Sequence, residues 1–366
     1  MKKSEYRTKI MTVMQQRLQS ILEKSQGQAA RFLDKLPSVA QEALAKALGY
    51  PYVYPDLDSF VKCLMAVQLK QGKAGLIGED IKRSRELFEQ NMQAIAAKPT
   101  EVKLVDDLRL PLQNGTIFAR HYHPAPNKKL PMIVFYHGGG FLVGSLDTHD
   151  EYCRLLANHA NAQVLSIGYP LAPEASPLQI VKICEDALAW VHQHSKQFKI
   201  LKNRIALAGD SAGGNLAAVV AQRSVNKTYA PNAQLLIYPA MDFKSRHPSY
   251  YAYKDGLVLT ENDIERVTQH YAKTHNVALD DPIISPTYGQ TKKLAPAYVI
   301  TARHDVLHDE GSIYAHKLQK NGVKVYYQEY VDQAHGFINM TPISARAKKH
   351  VIEMSKHFRK FWDKNS

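Results

Sequence analysis

Ile205-Ala206-Leu207-Ala208-Gly209-Asp210-Ser211-Ala212-Gly213-Gly214-Asn215-Leu216-Ala217-Ala218-Val219-Val220-Ala221 is the stretch on which the reading of this chain turns. Its first four residues are an unbroken apolar run, as in a strand buried on both faces. Residues 215–221 are strong helix formers. Between them, Gly209 to Gly213 fits G-x-S-x-G, so Ser211 stands on a tight strand-to-helix turn. Small neighbours are required there, because a strained backbone lifts the serine to the apex of the turn. The helix that follows points free N–H groups at the same place, which favours a developing anion. The pentapeptide alone recurs by chance in many chains. The strand before it and the helix after it make Ser211 a candidate nucleophile.

Outward from this turn, short β-rich runs alternate with helix-length segments. They are Val102–Leu110, Ile117–His123, Met132–Tyr136, Val164–Ile167, Ile205–Gly209, Leu235–Tyr238, Tyr298–Thr301 and Val325–Tyr330. The first two pair as a hairpin across the Gln113–Gly115 turn. The later ones are almost wholly apolar, the pattern of a buried, mainly parallel sheet in an α/β fold. Residues 1–100 read instead as helical. Leu18, Ile21 and Leu22, then Ala40, Ala43, Leu44, Ala47 and Leu48, recur at helical spacing before Gly49 and Pro51. A helix capped at Asp58 or Ser59 turns Phe60, Leu64, Met65 and Val67 inward, and another runs from about Glu79 to Ala97. Residues 242–286 interrupt the alternation with a Tyr-rich segment and a helix over Glu261–Lys273. The expected organisation is a helical cap segment, 1–100, and a catalytic domain, 101–366, whose insertion at about 242–286 completes the cap.

A serine hydroxyl is too weak an acid to attack a carbonyl unaided and needs a base held by an acid. Among 16 histidines, His335 in Gln333-Ala334-His335-Gly336-Phe337 lies just past a strand, at the expected C-terminal edge of the sheet. Asp305 follows the preceding strand in the same way and is preferred as the acid, with Asp309 as its competitor. The order Ser, Asp, His along the chain suits this arrangement. His137-Gly138-Gly139-Gly140-Phe141 follows the strand Met132–Tyr136. Consecutive glycines let a backbone approach a ligand and aim N–H groups at it, here at a tetrahedral oxyanion. A phosphate loop is the weaker alternative, since no Lys-Ser/Thr follows. His137 reads as support for the loop.

Together these residues resemble the hormone-sensitive-lipase-like family of α/β-hydrolase carboxylesterases over about residues 100–340. The likeness includes the His137–Phe141 loop, Gly209–Asn215, Tyr169–Glu174, Tyr238–Asp242, Ser285-Pro286, Asp305 through Gly311 and His335–Phe337. It implies a central, mostly parallel eight-stranded sheet flanked by helices, with a helical cap. It implies hydrolysis of short to medium acyl esters, with Ser211 as nucleophile, His335 as base and then acid, and Asp305 as orienter. It also implies oxyanion donation from the N–H groups of Gly138, Gly139 and Ala212. Pro170 and Val306 stand where the family often has Arg and Pro, and the N-terminal segment is longer than usual.

Other functions are weighed against this one. An amidase or arylacylamide hydrolase would use the same triad. A non-catalytic small-molecule receptor on the same scaffold would typically lack the base. A peripheral lipid enzyme is motivated by the surplus of 47 Lys and Arg over 34 Asp and Glu. That surplus reads first as a solvated basic surface, because Lys2–Lys3 and Arg346–Lys349 are too short for a nucleic-acid motif. Tyr250, Tyr251 and Tyr253 either line a narrow acyl pocket or pack inside the cap. No histidine spacing suits a metal, and no cofactor is expected. Cys63, Cys153 and Cys184 read as buried free thiols. The start Met1–Ile10 is not followed by an apolar run, so the expectation is a soluble, cytoplasmic protein acting on a small-molecule ester. Membrane-surface contact and a homo-oligomer are left open.

Overall fold

All eight β-rich runs become strands of a single sheet in the computed structural model, which describes residues 26–365 apart from 52–53, 71, 73–74 and 256–257. The strands are β1 Leu104–Leu112, β2 Gly115–His123, β3 Leu130–Tyr136, β4 Gln163–Gly168, β5 Ile200–Asp210, β6 Ala233–Ile237, β7 Ala297–His304 and β8 Val325–Ala334. Their order is β1-β2-β4-β3-β5-β6-β7-β8. β2 runs antiparallel to both its neighbours, and β3 to β8 are parallel throughout. The pairing of β7 with β8 shifts register after Ala302 and resumes at His304 opposite Ala334. One residue beyond that pair on each strand stand Asp305 and His335. Sheet register thus brings together two residues 30 positions apart in the chain.

Alternation along the strands builds one core on each face. On β3, Met132, Val134 and Tyr136 face α6 (Pro177–Gln193), α7 (Ala212–Arg223) and α10 (His308–Lys320). Ile133 and Phe135 face α5 (Asp150–Ala160) and α11 (Ala345–Lys364), whose Phe358 and Trp362 are fully buried. Each such large side chain contributes about 2–3 kcal/mol of apolar burial. Cys153 and Cys184 lie in these cores, and all three thiols are buried and free.

Helices at residues 26–34 (α1), Ser38–Ala47 (α2), Ser59–Lys70 (α3) and Ile81–Ile95 (α4) lie N-terminal to the sheet. The expected helix around Leu18 and Ile21 falls outside the described residues. Asp58 caps α3 by accepting from Phe60 N–H (2.8 Å), and Asp80 caps α4 by accepting from Arg83 N–H (3.0 Å). Phe60 and Met65 point inward as read, but Val67 is 36% exposed, because with Leu64 it lines an open cavity. On α2 the buried positions are Gln41 and Ala45, not Leu44. The Gln41 amide and carbonyl take hydrogen bonds to Leu33, Ser59 and Cys63, which settles the face that α2 turns inward.

The segment between β6 and β7 carries α8 (Pro248–Tyr253) and α9 (Glu261–Val267). The helix expected over Glu261–Lys273 stays α-helical only to Val267, then widens into a π turn, Thr268–Ala272, and tightens at Lys273–His275. The wide turn seats the Tyr271 ring flat on Phe141, 3.8 Å between centroids. Among the described residues, no helix is long and apolar enough to cross a membrane.

Candidate active site

Ser211 is held at φ 53°, ψ −118°, a conformation that L residues avoid, at the junction of β5 and α7. Its N–H donates to the Ile237 carbonyl (2.9 Å) and its carbonyl accepts from Asn215 (3.0 Å). The turn can be this sharp because Gly213 has no side chain: a Cβ there would stand 1.9 Å from the Tyr136 carbonyl oxygen. The helix therefore packs directly against the end of β3.

His335 closes the arrangement. Its Nε2 lies 2.9 Å from Ser211 Oγ and its Nδ1 2.7 Å from Asp305 Oδ2. Asp305 is 1% exposed and its other oxygen accepts from Leu307 N–H (2.9 Å). A carboxylate on Nδ1 makes that nitrogen the donor, so Nε2 is left to accept from the serine hydroxyl. Asp309 is elsewhere: it accepts from Ser249 N–H (2.9 Å) and pairs with His308 (2.8 Å). The competition between the two aspartates resolves geometrically to Asp305.

The glycine loop differs in one donor from the expected set. The N–H of Gly138 is already engaged, donating to Asp210 Oδ1 at 2.8 Å. The N–H groups of Gly139, Gly140 and Ala212 have no partner among the described residues, and all three residues line the cavity that contains Ser211. The Gly138 N–H is therefore not free to donate to a ligand, whereas that of Gly140 is. Burial opposes the charge on Asp210, but His149 (3.3 Å) and the Gly138 N–H outweigh it and hold the carboxyl below the usual range. These partners come from 61 to 72 residues away, so the second residue of the pentapeptide gave no sign of its role.

Peptide planarity then decides where the free N–H groups point, since C=O and N–H of one trans peptide face opposite ways. The Gly138 carbonyl accepts from His137 Nδ1 (2.8 Å), which turns the Gly139 N–H the other way. The Gly139 carbonyl accepts from Leu142 (3.1 Å) and Val143 (3.0 Å), which does the same for Gly140. His137 is buried and stacked on Tyr169. Burial and the neighbouring His149 push its pKa down to about 3, so it stays neutral and supports the loop as read.

Ser211 opens on a cavity of about 890 Å³ with a mostly apolar lining. Leu87, Phe88, Met92 and Ile95 of α4 form one wall, and Val258, Ile264 and Val267 of the insertion another. Residues 133–339 match the family model described as the alpha/beta hydrolase fold. The carboxylic ester hydrolase LipN of Mycobacterium tuberculosis is 36% identical over 318 residues, 85% of this chain and 84% of the relative. The ethyl acetate hydrolase of Pseudomonas putida is 32% identical, over 81% and 96%. Among solved structures, an esterase of Pyrobaculum calidifontis is 35% identical with TM-score 0.74, covering 81% of this chain and 97% of its own. The ester-hydrolase EH1AB1 from the Lake Arreo metagenome, complexed with a bipyridine phosphonate derivative, is 32% identical with TM-score 0.79, covering 85% and 100%. The chain belongs to the hormone-sensitive-lipase-like family of α/β-hydrolases.

In this hydrolase only one of the three candidate pocket tyrosines reaches the cavity. Tyr250 lines it, whereas Tyr251 is 63% exposed and Tyr253 packs on Tyr54 and His304. The hydrolase also places a carboxyl that sequence reading passed over: buried Glu310, which accepts from Met241 (2.5 Å) and Asp242 (3.2 Å) N–H. Burial first, then Asp242 and Asp305, raise its pKa to about 8, against the two N–H groups that lower it. The upward shift favours the protonated form at neutral pH, and the carboxyl holds the 240–242 segment beside Ser211, to whose carbonyl Ala240 N–H donates (3.3 Å).

Proposed function

We propose that this hydrolase cleaves carboxylic esters of short to medium acyl chains through an acyl-enzyme on Ser211. Supporting the reading most directly is the relay Ser211–His335–Asp305, at 2.9 and 2.7 Å, at the base of an apolar cavity. The relatives named carboxylic ester hydrolase and ethyl acetate hydrolase support the substrate class.

Ser211 Oγ bonds to the ester carbonyl carbon as its proton passes to His335 Nε2. The carbonyl oxygen becomes an oxyanion facing the N–H groups of Gly139, Gly140 and Ala212, each worth about 3–4 kcal/mol when well placed. Collapse breaks the bond to the leaving oxygen, which departs as an alcohol with the proton from Nε2. Water then adds to the acyl carbon, its proton taken by Nε2, and a second collapse returns that proton to Ser211 Oγ and frees the acid. Asp305 keeps Nδ1 protonated and stabilises the imidazolium in each half. A rate profile over p-nitrophenyl esters of increasing chain length, with Ser211→Ala alongside, tests the proposal. Activity confined to short and medium chains and abolished in Ser211→Ala is expected. A Ser211→Ala enzyme with near-wild-type turnover would overturn it.

A further inference from the structure

The N-terminal segment touches the reactive loops as well as the cavity wall, and one contact is built unlike the others. Arg85, on α4, reaches across to the glycine loop. Its Nε donates to the Leu142 carbonyl (2.8 Å) and its Nη2 to the Ala172 carbonyl (2.8 Å). The far edge of the guanidinium meets Glu174 (3.0 and 2.6 Å). Phe141 carbonyl and Ala172 N–H already join the two loops at 2.9 Å. Arg85 therefore bridges two strips of backbone at the point where they meet. A planar fork of donors suits this task, and a point charge does not.

The consequence passes through two peptide units. Val143 N–H, which shares a peptide unit with the Leu142 carbonyl, is one of the two donors that hold the Gly139 carbonyl, and that carbonyl's own peptide carries the Gly140 N–H. With the Leu142 carbonyl pinned from outside, the turn 139–143 cannot rotate, and the Gly140 N–H keeps its aim. The Glu174 ion pair adds little by itself, because the Glu174 side chain is 66% exposed. The two backbone carbonyls matter more.

We infer that Arg85 is a positioning residue for oxyanion stabilisation, and hence that the N-terminal segment belongs to the reaction machinery as well as to the cap. The inference rests on the ester-hydrolase reading above. Arg85→Met and Arg85→Lys test it, with kcat normalised to sites titrated by a fluorophosphonate and with inhibition by an alkyl trifluoromethyl ketone, whose adduct carries an oxyanion. The expected result for Arg85→Met is a fall in kcat per titrated site of about ten- to a hundredfold, as for a displaced catalytic group, with KM little changed. Ketone affinity falls by the same factor as kcat/KM. A lysine reaches one carbonyl at most, so Arg85→Lys lies between, and it decides the matter if the Met variant does not fold. A purely structural role would lower the number of titratable sites and leave kcat per site and ketone affinity at wild-type values in both variants. That outcome overturns the inference. Wild-type enzyme without esterase activity would instead overturn the reading beneath it.

Discussion

The two halves of this hydrolase are held together by different physics. Around the triad, the sheet half relies on contacts too close to admit a side chain: Gly213 against the Tyr136 carbonyl and Gly139 against the Val143 carbonyl. The cap half is fastened by a few polar clasps. Asp263 accepts from Leu76 and Ile77 N–H (both 2.8 Å) with one oxygen and from Thr260 with the other, tying the N-terminal segment to the insertion. Arg346 joins Asp58 (3.2 Å) to Asp332 (2.8 Å) beside the His335 loop. Arg85 spans the remaining seam. The difference teaches that close backbone contacts shape the turns of the sheet half, whereas a small number of replaceable polar groups hold the N-terminal segment and the insertion in place and, through Arg85, reach the glycine loop.

Substitutions on the two sides should therefore differ in kind. The largest effect belongs to Asp305→Asn, which permits the wrong imidazole tautomer: kcat falls about 10⁴-fold. Asp309→Asn, which touches Ser249 and His308 instead, leaves kcat near wild type in the same assay. Gly139→Ala comes next. Its Cβ would lie 2.2 Å from the Val143 carbonyl at φ +115°, so the turn must shift and misaim two donors. A loss of about 10²–10³-fold in kcat is expected, measured per titrated site.

On the cap side, Asp263→Asn replaces an oxygen with an NH₂ that faces donors. It should weaken the clasp by about 1–3 kcal/mol, read as faster proteolysis near residues 71–80 and a raised KM, with kcat per site retained. Cleavage and KM at wild-type values would erase the contrast between the halves.

The smallest effect is Glu310→Gln, and it depends on pH. The folded pKa of about 8 lies above the ordinary 4.5, so the folded protein holds this proton more tightly than the unfolded chain. Wild-type stability then declines as pH rises from 4.5 to 8, and levels off beyond. The glutamine keeps the acceptor for Met241 and Asp242 and loses that decline. Melting curves should show the variant gaining a few degrees at pH 8.5 relative to its standing at pH 5. A constant difference at both pH values would refute the buried, protonated state.

Much of this was legible in the chain. Residues 205–221 announce a strand, a sharp turn and a helix by short-range apolar pattern alone, and all eight strands appear where β-rich runs predict them. Strand ends were less legible. β8 continues through the polar Asp332 and Gln333 to Ala334, because its pairing with His304 extends it. The apolar spacing on α2 predicted a helix but not its buried face, which carries Gln41 because its hydrogen bonds are made inward.

By itself, the sequence determined the sheet, the elbow, the histidine and the glycine loop, since each depends on residues that are neighbours in the chain. Tertiary structure alone decided that Asp305 and not Asp309 faces His335, that Gly140 and not Gly138 has a free N–H, and that Arg85 reaches the glycine loop from 57 residues away. The reason is the same in each case. Which way a carboxylate or a peptide N–H points is settled by the partner on its other side, and that partner comes from a distant part of the chain.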